Sequence, residues 1–219
     1  MRLKIDLHVH TIYSVDSLIT PEEVAYYAKK RGLDGVAVTD HDRLDSALRM
    51  SKEKDFLILP GMEITSSDGH ILALNIQDLV AKGLTAEETV DRIHNAGGIT
   101  IACHPAAMFK GSLGNHTTSR FDAVEVVNSS AIPFRHSVKR GERIASRLKI
   151  ARVAGSDAHY GPEIGCAYTL FDAEPDADDI VNAIRRKQCQ PFGKAIPLTV
   201  RLKREILVLR RRFGLGGET

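Results

Sequence analysis

Ile5-Asp6-Leu7-His8-Val9-His10-Thr11 decides how this chain is read. Leu3, Ile5 and Leu7 alternate with Lys4 and Asp6, the period of a β-strand. The strand ends on two histidines one residue apart. Side chains at i and i+2 of an extended segment point the same way. His8 and His10 can therefore grip one object between them, and a metal ion is the usual one. Asp16 follows six residues later, still in the loop after the strand.

The same plan recurs along the chain. Residues 36–39 form a short apolar run that ends in Asp40-His41-Asp42. Residues 56–59 lead to Pro60-Gly61-Met62-Glu63, and residues 70–74 begin on His70. Residues 99–103 run into His104-Pro105, residues 123–127 into Asn128, and residues 150–154 into Gly155-Ser156-Asp157-Ala158-His159. A further short strand is expected over 167–171. Helical patterns lie between these runs. Thr20-Pro21-Glu22-Glu23 and Thr85-Ala86-Glu87-Glu88 are capping boxes, and Asp176 caps a helix over 176–187. Residues 44–53, 134–148 and the segment from Thr199 are also helical in pattern, while 106–119 form a long loop.

Strands alternate with helices about seven times, which predicts an α/β fold with a parallel sheet and helical crossovers. Acidic and histidine residues at successive strand ends favour a closed TIM-like β/α barrel, whose site lies on that face. An open doubly wound sheet is the alternative, but no Gly-rich phosphate fingerprint follows the first strand.

Composition bounds the rest. At 219 residues, 43% hydrophobic and 26% charged, the chain reads as one ordinary soluble domain. The N-terminus lacks the apolar region of a signal peptide and no run is long enough to span a bilayer, so a cytoplasmic protein without membrane insertion is expected. Cys103, Cys166 and Cys189 are widely spaced, which suits free thiols and excludes a thiolate zinc finger. The net charge of +2 is unevenly placed. Residues 197–219 hold six Lys/Arg against two Glu, and the remainder 24 against 26. This divides the chain into a barrel over 1–196 and a basic helical tail over 197–219.

The metal-ligand candidates are His8, His10, Asp16, His41, Glu63, His70, His104, Asp157 and His159. Any one of these histidines read singly is an ordinary surface or hydrogen-bonded residue, and an Asp after a strand is commonly a helix cap. Five strand ends carrying such groups together are not explained that way. Mixed histidine and carboxylate donors suit Mn, Zn or Fe(II), and nine exceed what one ion can use, so two or three divalent transition metals are expected.

These motifs resemble those of the polymerase and histidinol phosphatase (PHP) superfamily of metal-dependent phosphoesterases. Asp6-Leu7-His8-Val9-His10-Thr11, Thr39-Asp40-His41-Asp42, His104-Pro105 and Gly155-Ser156-Asp157-Ala158-His159 stand in the family's order. The resemblance implies a distorted seven-stranded barrel holding three metals. By position, His8, His10, Glu63 and Asp157 would hold the first, Glu63 with His70 and His104 the second, and Asp16, His41 and His159 the third. Several members carry a histidine where this chain has Asp16, and a subgroup carries a carboxylate. Relatives in that subgroup often have a longer insertion before the His-Pro motif; here 41 positions separate Glu63 from His104.

The implied activity is hydrolysis of a phosphate ester by a hydroxide shared between two ions, with Glu63, Asp157 and His159 as catalytic residues. The expected substrate is a phosphorylated small molecule, such as a nucleotide, or the end of an oligonucleotide. The alternatives are a small-molecule phosphatase of the histidinol-phosphate type and a non-catalytic metal-bound module of a nucleic-acid machine. Arg135 is the first choice to clamp the phosphate, then Lys110 and Arg120, with Asn128 beside them. In the tail, Leu202, Ile206, Leu209 and Phe213 form one helical stripe. The stripe is expected to dock on the barrel and leave the surrounding arginines solvated; the competing reading has those arginines contact RNA.

Overall fold

The computed structural model describes residues 2–53, 55–108 and 111–213. β1 (Arg2–Val9) runs into a loop that ends at Thr20, the cap of α1 (Pro21–Lys30). Thr20 accepts from the Glu23 amide while the Glu23 carboxylate accepts from the Thr20 amide, so the capping box forms. Next come β2 (Gly35–Val38), α2 (Asp45–Met50), β3 (Leu57–Ser66), β4 (Gly69–Leu74), α3 (Ala86–Asn95), β5 (Ile99–Ala102) and β6 (Ala123–Asn128). The chain continues through α4 (Phe134–Leu148), β7 (Ala151–Gly155), β8 (Ala167–Asp172), α5 (Ala177–Arg185), β9 (Cys189–Gly193) and α6 (Leu198–Arg212).

The strands form one sheet in the order β7-β6-β5-β4-β3-β2-β1-β8-β9. It rolls up until the end of β1 meets the segment after β7. Val9 bridges Ala158, the Asp157 amide donates to the His8 carbonyl at 2.8 Å, and the His10 amide donates to the Ala158 carbonyl at 3.0 Å. The result is a nearly closed barrel. It is less regular than a parallel sheet with a helix at every crossover. β1–β2, β2–β3, β5–β6 and β6–β7 are parallel, whereas β3–β4, β4–β5, β1–β8 and β8–β9 are antiparallel.

The irregularity has local causes. β3 runs past Glu63 to Ser66 and turns back at Gly69, whose φ of 139° only glycine adopts readily. His70 is thereby set opposite Thr65 in a hairpin. β9 contains Pro191 and Gly193, which disguise it as a loop in the sequence.

Leu3, Ile5 and Leu7 of β1 join Ala37, Leu59, Leu72, Ile101, Ala123, Val153 and Phe171 in one buried cluster. Side chains from β1 through β8 can converge in this way only inside a rolled sheet. Ile180, Val181 and Ile184 of α5 belong to the same cluster. A second cluster gathers Val36, Val38, Ile58 and Ile64 with Val24 and Ala28 of α1, Ala47 and Met50 of α2, and Val90 and Ile93 of α3.

The tail departs from expectation. Leu202, Ile206, Leu209 and Phe213 are 63%, 44%, 51% and 69% exposed, so the apolar stripe does not dock. α6 is instead held by its arginines. Arg201 donates to the carbonyls of Ile196, Ser130 and Ser129, Arg204 pairs with the buried Glu163, and Arg211 donates to the Ser17 carbonyl. The barrel mouth offers carbonyls and a buried carboxylate there, and these are partners for guanidinium groups.

Candidate metal centre

β1 breaks register between Asp6 and Val9, where His8 stands, and His10 directly follows the strand. Both rings are fixed from behind. His8 Nδ1 lies 3.0 Å from Glu125 Oε1, and a carboxylate can only accept, so this nitrogen carries the proton. His10 Nδ1 lies 3.1 Å from Ser14 Oγ, whose own proton goes to Asp40 Oδ1 at 2.8 Å, so His10 Nδ1 is also the donor. When both rings are neutral they present bare Nε2 lone pairs 3.0 Å apart. Glu63 Oε2 lies 3.2 and 3.1 Å from these two atoms, and Asp157 Oδ1 lies 3.6 Å from each. All four residues are almost wholly buried. Four potential donor atoms converge, and a positive charge balances them, either a proton on His8 or a metal ion that replaces it. The residues present therefore fit a divalent metal.

The two histidines titrate in opposite directions. Burial opposes protonation of His8, yet Asp157, Glu125 and Glu63 hold it well above its ordinary value. Burial and the nearby His159 push His10 down to about 3.

Glu63 divides its two oxygens between two groups of partners. Oε2 faces His8 and His10, with His41 Nδ1 at 3.3 Å. Oε1 faces His70 Nδ1 at 2.8 Å and His104 Nε2 at 3.0 Å, and accepts from Cys103 Sγ at 3.4 Å. Burial opposes its ionisation, but His8, His10, His104 and His70 hold it well below the usual carboxylate range. His70 is seated by the loop: its amide donates to the Gly111 carbonyl, and a Cβ on Gly111 would stand 2.3 Å from the ring.

The third group lies towards solvent. His159 Nδ1 donates to the Asp157 carbonyl at 3.0 Å, leaving Nε2 3.2 Å from Asp16 Oδ2. His41 Nε2 is 3.7 Å from the same oxygen. Burial opposes ionisation of Asp16 too, but these histidines hold it far below its ordinary value. Donor atoms of His10, His41 and His159 also lie within 4.8 Å of one another, so His10 stands between the first and third groups.

Sequence reading missed the residues behind these donors. Glu125 sits within the apolar run of β6, fully paired: it meets His8 and accepts from the His104 amide and Asn128 Nδ2. Asp40 accepts from the Thr11 amide and from the hydroxyls of Thr11, Ser14 and Ser46. Glu163 accepts from the amides of His159 and Tyr160. The available signal was slight: Glu125 is a lone charge inside an apolar run and Asp40 directly follows one, while nothing in the sequence marks Glu163.

Residues 6–104 match the PHP domain family, and residues 135–189 match the family described as PHP-associated. The uncharacterized protein MJ1587 of Methanocaldococcus jannaschii is 36% identical over 141 residues, 58% of this chain and 82% of that protein. The chain belongs to the PHP family. Solved structures share the fold at lower identity. A two-domain protein from Bacteroides vulgatus containing a predicted PHP-like metal-dependent phosphoesterase aligns with a TM-score of 0.73 and 17% identity. The alignment covers 89% of this chain and 65% of that one, just under two thirds of its length. PsfC from Pseudomonas syringae aligns with a TM-score of 0.71 and 18% identity, over 95% of this chain and 98% of that one.

Above the donors of this PHP domain opens a cavity of about 510 Å³. The expected phosphate clamp does not line it. Arg135 is exposed on the first turn of α4, and Arg120 pairs with Glu87 and Asp91 of α3. Asn128 faces Glu125 and Asp157 rather than the cavity, and so orients donors. Lys110 lies outside the described residues. The cationic lining comes from α6, as Arg201 and Arg204. No helix of the described residues is long and apolar enough to cross a membrane.

Proposed function

We propose that this PHP domain is a metal-dependent hydrolase of phosphate esters. The observation that carries the reading is Glu63, whose two oxygens each face a separate set of histidines. His8, His10, Glu63 and Asp157 would hold one divalent ion, Glu63 with His70 and His104 a second, and Asp16, His41 and His159 a third. Mn, Zn and Fe(II) all suit these donors. When bound, such ions acidify water and neutralise phosphate oxygens.

The chain's own part is placement and exclusion. Glu125 and Asp40 lock the His8 and His10 rings in one tautomer, so their lone pairs point into the centre without reorganisation. Burial of Glu63 and Asp157 keeps bulk water from the floor. His159, 9% exposed, stands where the floor meets the open cavity. The substrate we favour is a nucleotide or the end of an oligonucleotide, because the lip carries arginines and the walls carry Met108, Ile132 and Val208. Three free cysteines suit the reducing cytoplasm, where we place the protein.

The test is direct. Protein stripped by chelation is reloaded separately with Mn, Zn or Fe(II), and its metal is counted. It is then offered monophosphates, bisphosphates and short oligonucleotides. Metal-dependent release of phosphate or of a terminal nucleotide is expected. Full metal loading without hydrolysis of any member would replace the enzyme reading with that of a non-catalytic metal module.

A further inference from the structure

α6 lies along the mouth, and Arg201 is its most unusual residue. It is half-buried and lines the metal cavity. Its Nε donates to the Ile196 carbonyl at 3.3 Å, Nη1 to Ser130 at 3.1 Å and Nη2 to Ser129 at 2.8 Å. All three partners are neutral. Among the described residues no carboxylate pairs with Arg201. Arg204, one turn on, is balanced by Glu163 at 3.2 Å and Glu205 at 2.9 Å. Arg201 therefore holds a positive charge partly out of water, hydrogen-bonded only to neutral carbonyls, with the carboxylates of Glu163 and Asp157 acting on it from beyond contact distance. Burial, and then the neighbouring Arg204, disfavour that charge and outweigh the attraction of Glu163 and Asp157.

The bonding leaves one N–H free on each terminal nitrogen of Arg201. That fork suits two oxygens of one anion. The carbonyls fix the plane of the fork before any ligand arrives.

Position separates this fork from the floor. His8, His10, Glu63, His104 and Asp157 are buried at or near the strand ends, with Asp16 and His41 nearer the opening, whereas Arg201 comes from the helix at the lip. A phosphate held on the floor directs its ester substituent outward, past the apolar walls of Met108, Ile132 and Val208. The cavity has the size of sites that take whole small molecules, well beyond a lone phosphate. The lip cation then meets the substituent.

We infer that Arg201, oriented by the Ser129, Ser130 and Ile196 carbonyls and flanked by Arg204, binds a second phosphate of the substrate, joined through the alcohol portion to the phosphate that is cleaved. This rests on the phosphoesterase reading. The second phosphate can belong to a bisphosphorylated small molecule or to the next nucleotide of a strand; the chemistry recognised is the same.

The experiment uses the full metal-loaded chain and matched probes: butyl phosphate, butanediol bisphosphate and a dinucleotide with a terminal phosphate. The wild type should prefer the two-phosphate probes, mainly through KM. In Arg201→Gln that preference should shrink about tenfold or more, the usual loss for one charge-assisted contact. Arg201→Lys keeps the cation without the fork and should fall between them, which also covers loosening of α6 in the Gln variant. Arg210→Gln, on the same helix but outside the cavity lining, serves as the charge control and should match the wild type. Loss on the bisphosphate alone identifies a small molecule, and loss on both probes a strand. Folded Gln and Lys variants that keep the wild-type preference would overturn the subsite and leave the phosphoesterase reading standing. Wild-type protein inert on every probe would instead sink that reading, and this inference with it.

Discussion

His8 Nδ1 lies 3.0 Å from Glu125 Oε1, and this contact joins β1 to β6 at the floor of the cavity. It decides which nitrogen of His8 faces the centre. Glu125→Gln removes the obligate acceptor and permits the other tautomer. Metal affinity should fall about 10- to 100-fold, as for other residues that orient a metal ligand, with the fold kept. Metal titration alongside circular dichroism checks this; an unchanged affinity would separate Glu125 from the centre.

Glu63→Gln should be more severe. Each Glu63 oxygen serves a different set of histidines, so one substitution weakens both. Turnover should drop at least about 100-fold and metal content should fall by more than one ion. Elemental analysis with single-turnover kinetics reads both quantities. Activity within tenfold of wild type would remove Glu63 from the bridging position.

Added metal should also stabilise the fold. Without a metal, the buried carboxylates of Glu63 and Asp157 are balanced chiefly by a protonated His8, whose proton a divalent ion would displace with a larger charge and direct bonds to the same donors. A ligand bound only by the native state raises stability by about 2.7 kcal/mol at a hundred times its Kd. The thermal midpoint should therefore rise with Mn, Zn or Fe(II) and fall again with chelator. A midpoint indifferent to all three metals would contradict this.

Most of the candidate metal donors stood out in the sequence because they follow apolar runs, where a β/α barrel places its site, while His70 opens its run. Their supports did not. In Ala-Val-Glu-Val-Val, alternation assigns Glu125 to a solvent face, yet every residue of β6 is buried. The α6 pattern showed where its apolar stripe lies but not which face docks, because docking depends on what the mouth offers. Arg201 and Arg204 were visible as tail charges and became cavity residues only once Ser129, Ser130 and Glu163 were placed. The β3–β4 hairpin was hidden for a similar reason: two apolar runs reveal strands but not their relative direction.

Gly155 precedes the Ser-Asp-Ala-His motif for want of space. A Cβ there would stand 2.4 Å from His8 Cβ and 2.7 Å from Glu125 Oε1. Gly155→Ala must shift one of them, at a cost of about 1–3 kcal/mol. Reduced metal affinity should accompany the lower thermal midpoint. Loss of stability with metal binding intact would show that the strain relaxes elsewhere.

Glu163 anchors α6 and His159 together. It is fully buried, accepts from the His159 amide at 2.9 Å and pairs with Arg204 at 3.2 Å. Glu163→Gln leaves Arg204 facing a neutral amide and its other partner, the exposed Glu205. Removing one member of a buried ion pair costs roughly 3–5 kcal/mol, and less here because Arg204 is partly exposed. The loss should be local, since few apolar contacts hold α6. Hydrogen exchange should quicken across residues 198–212 while the barrel strands stay protected. Pairing Glu163→Gln with Arg204→Met removes both charges, so the double variant should lose less than the two single losses combined. If exchange in α6 is unchanged by Glu163→Gln, the helix is held by Arg201 and Arg211 alone, and the buried carboxylate serves only His159 and Tyr160.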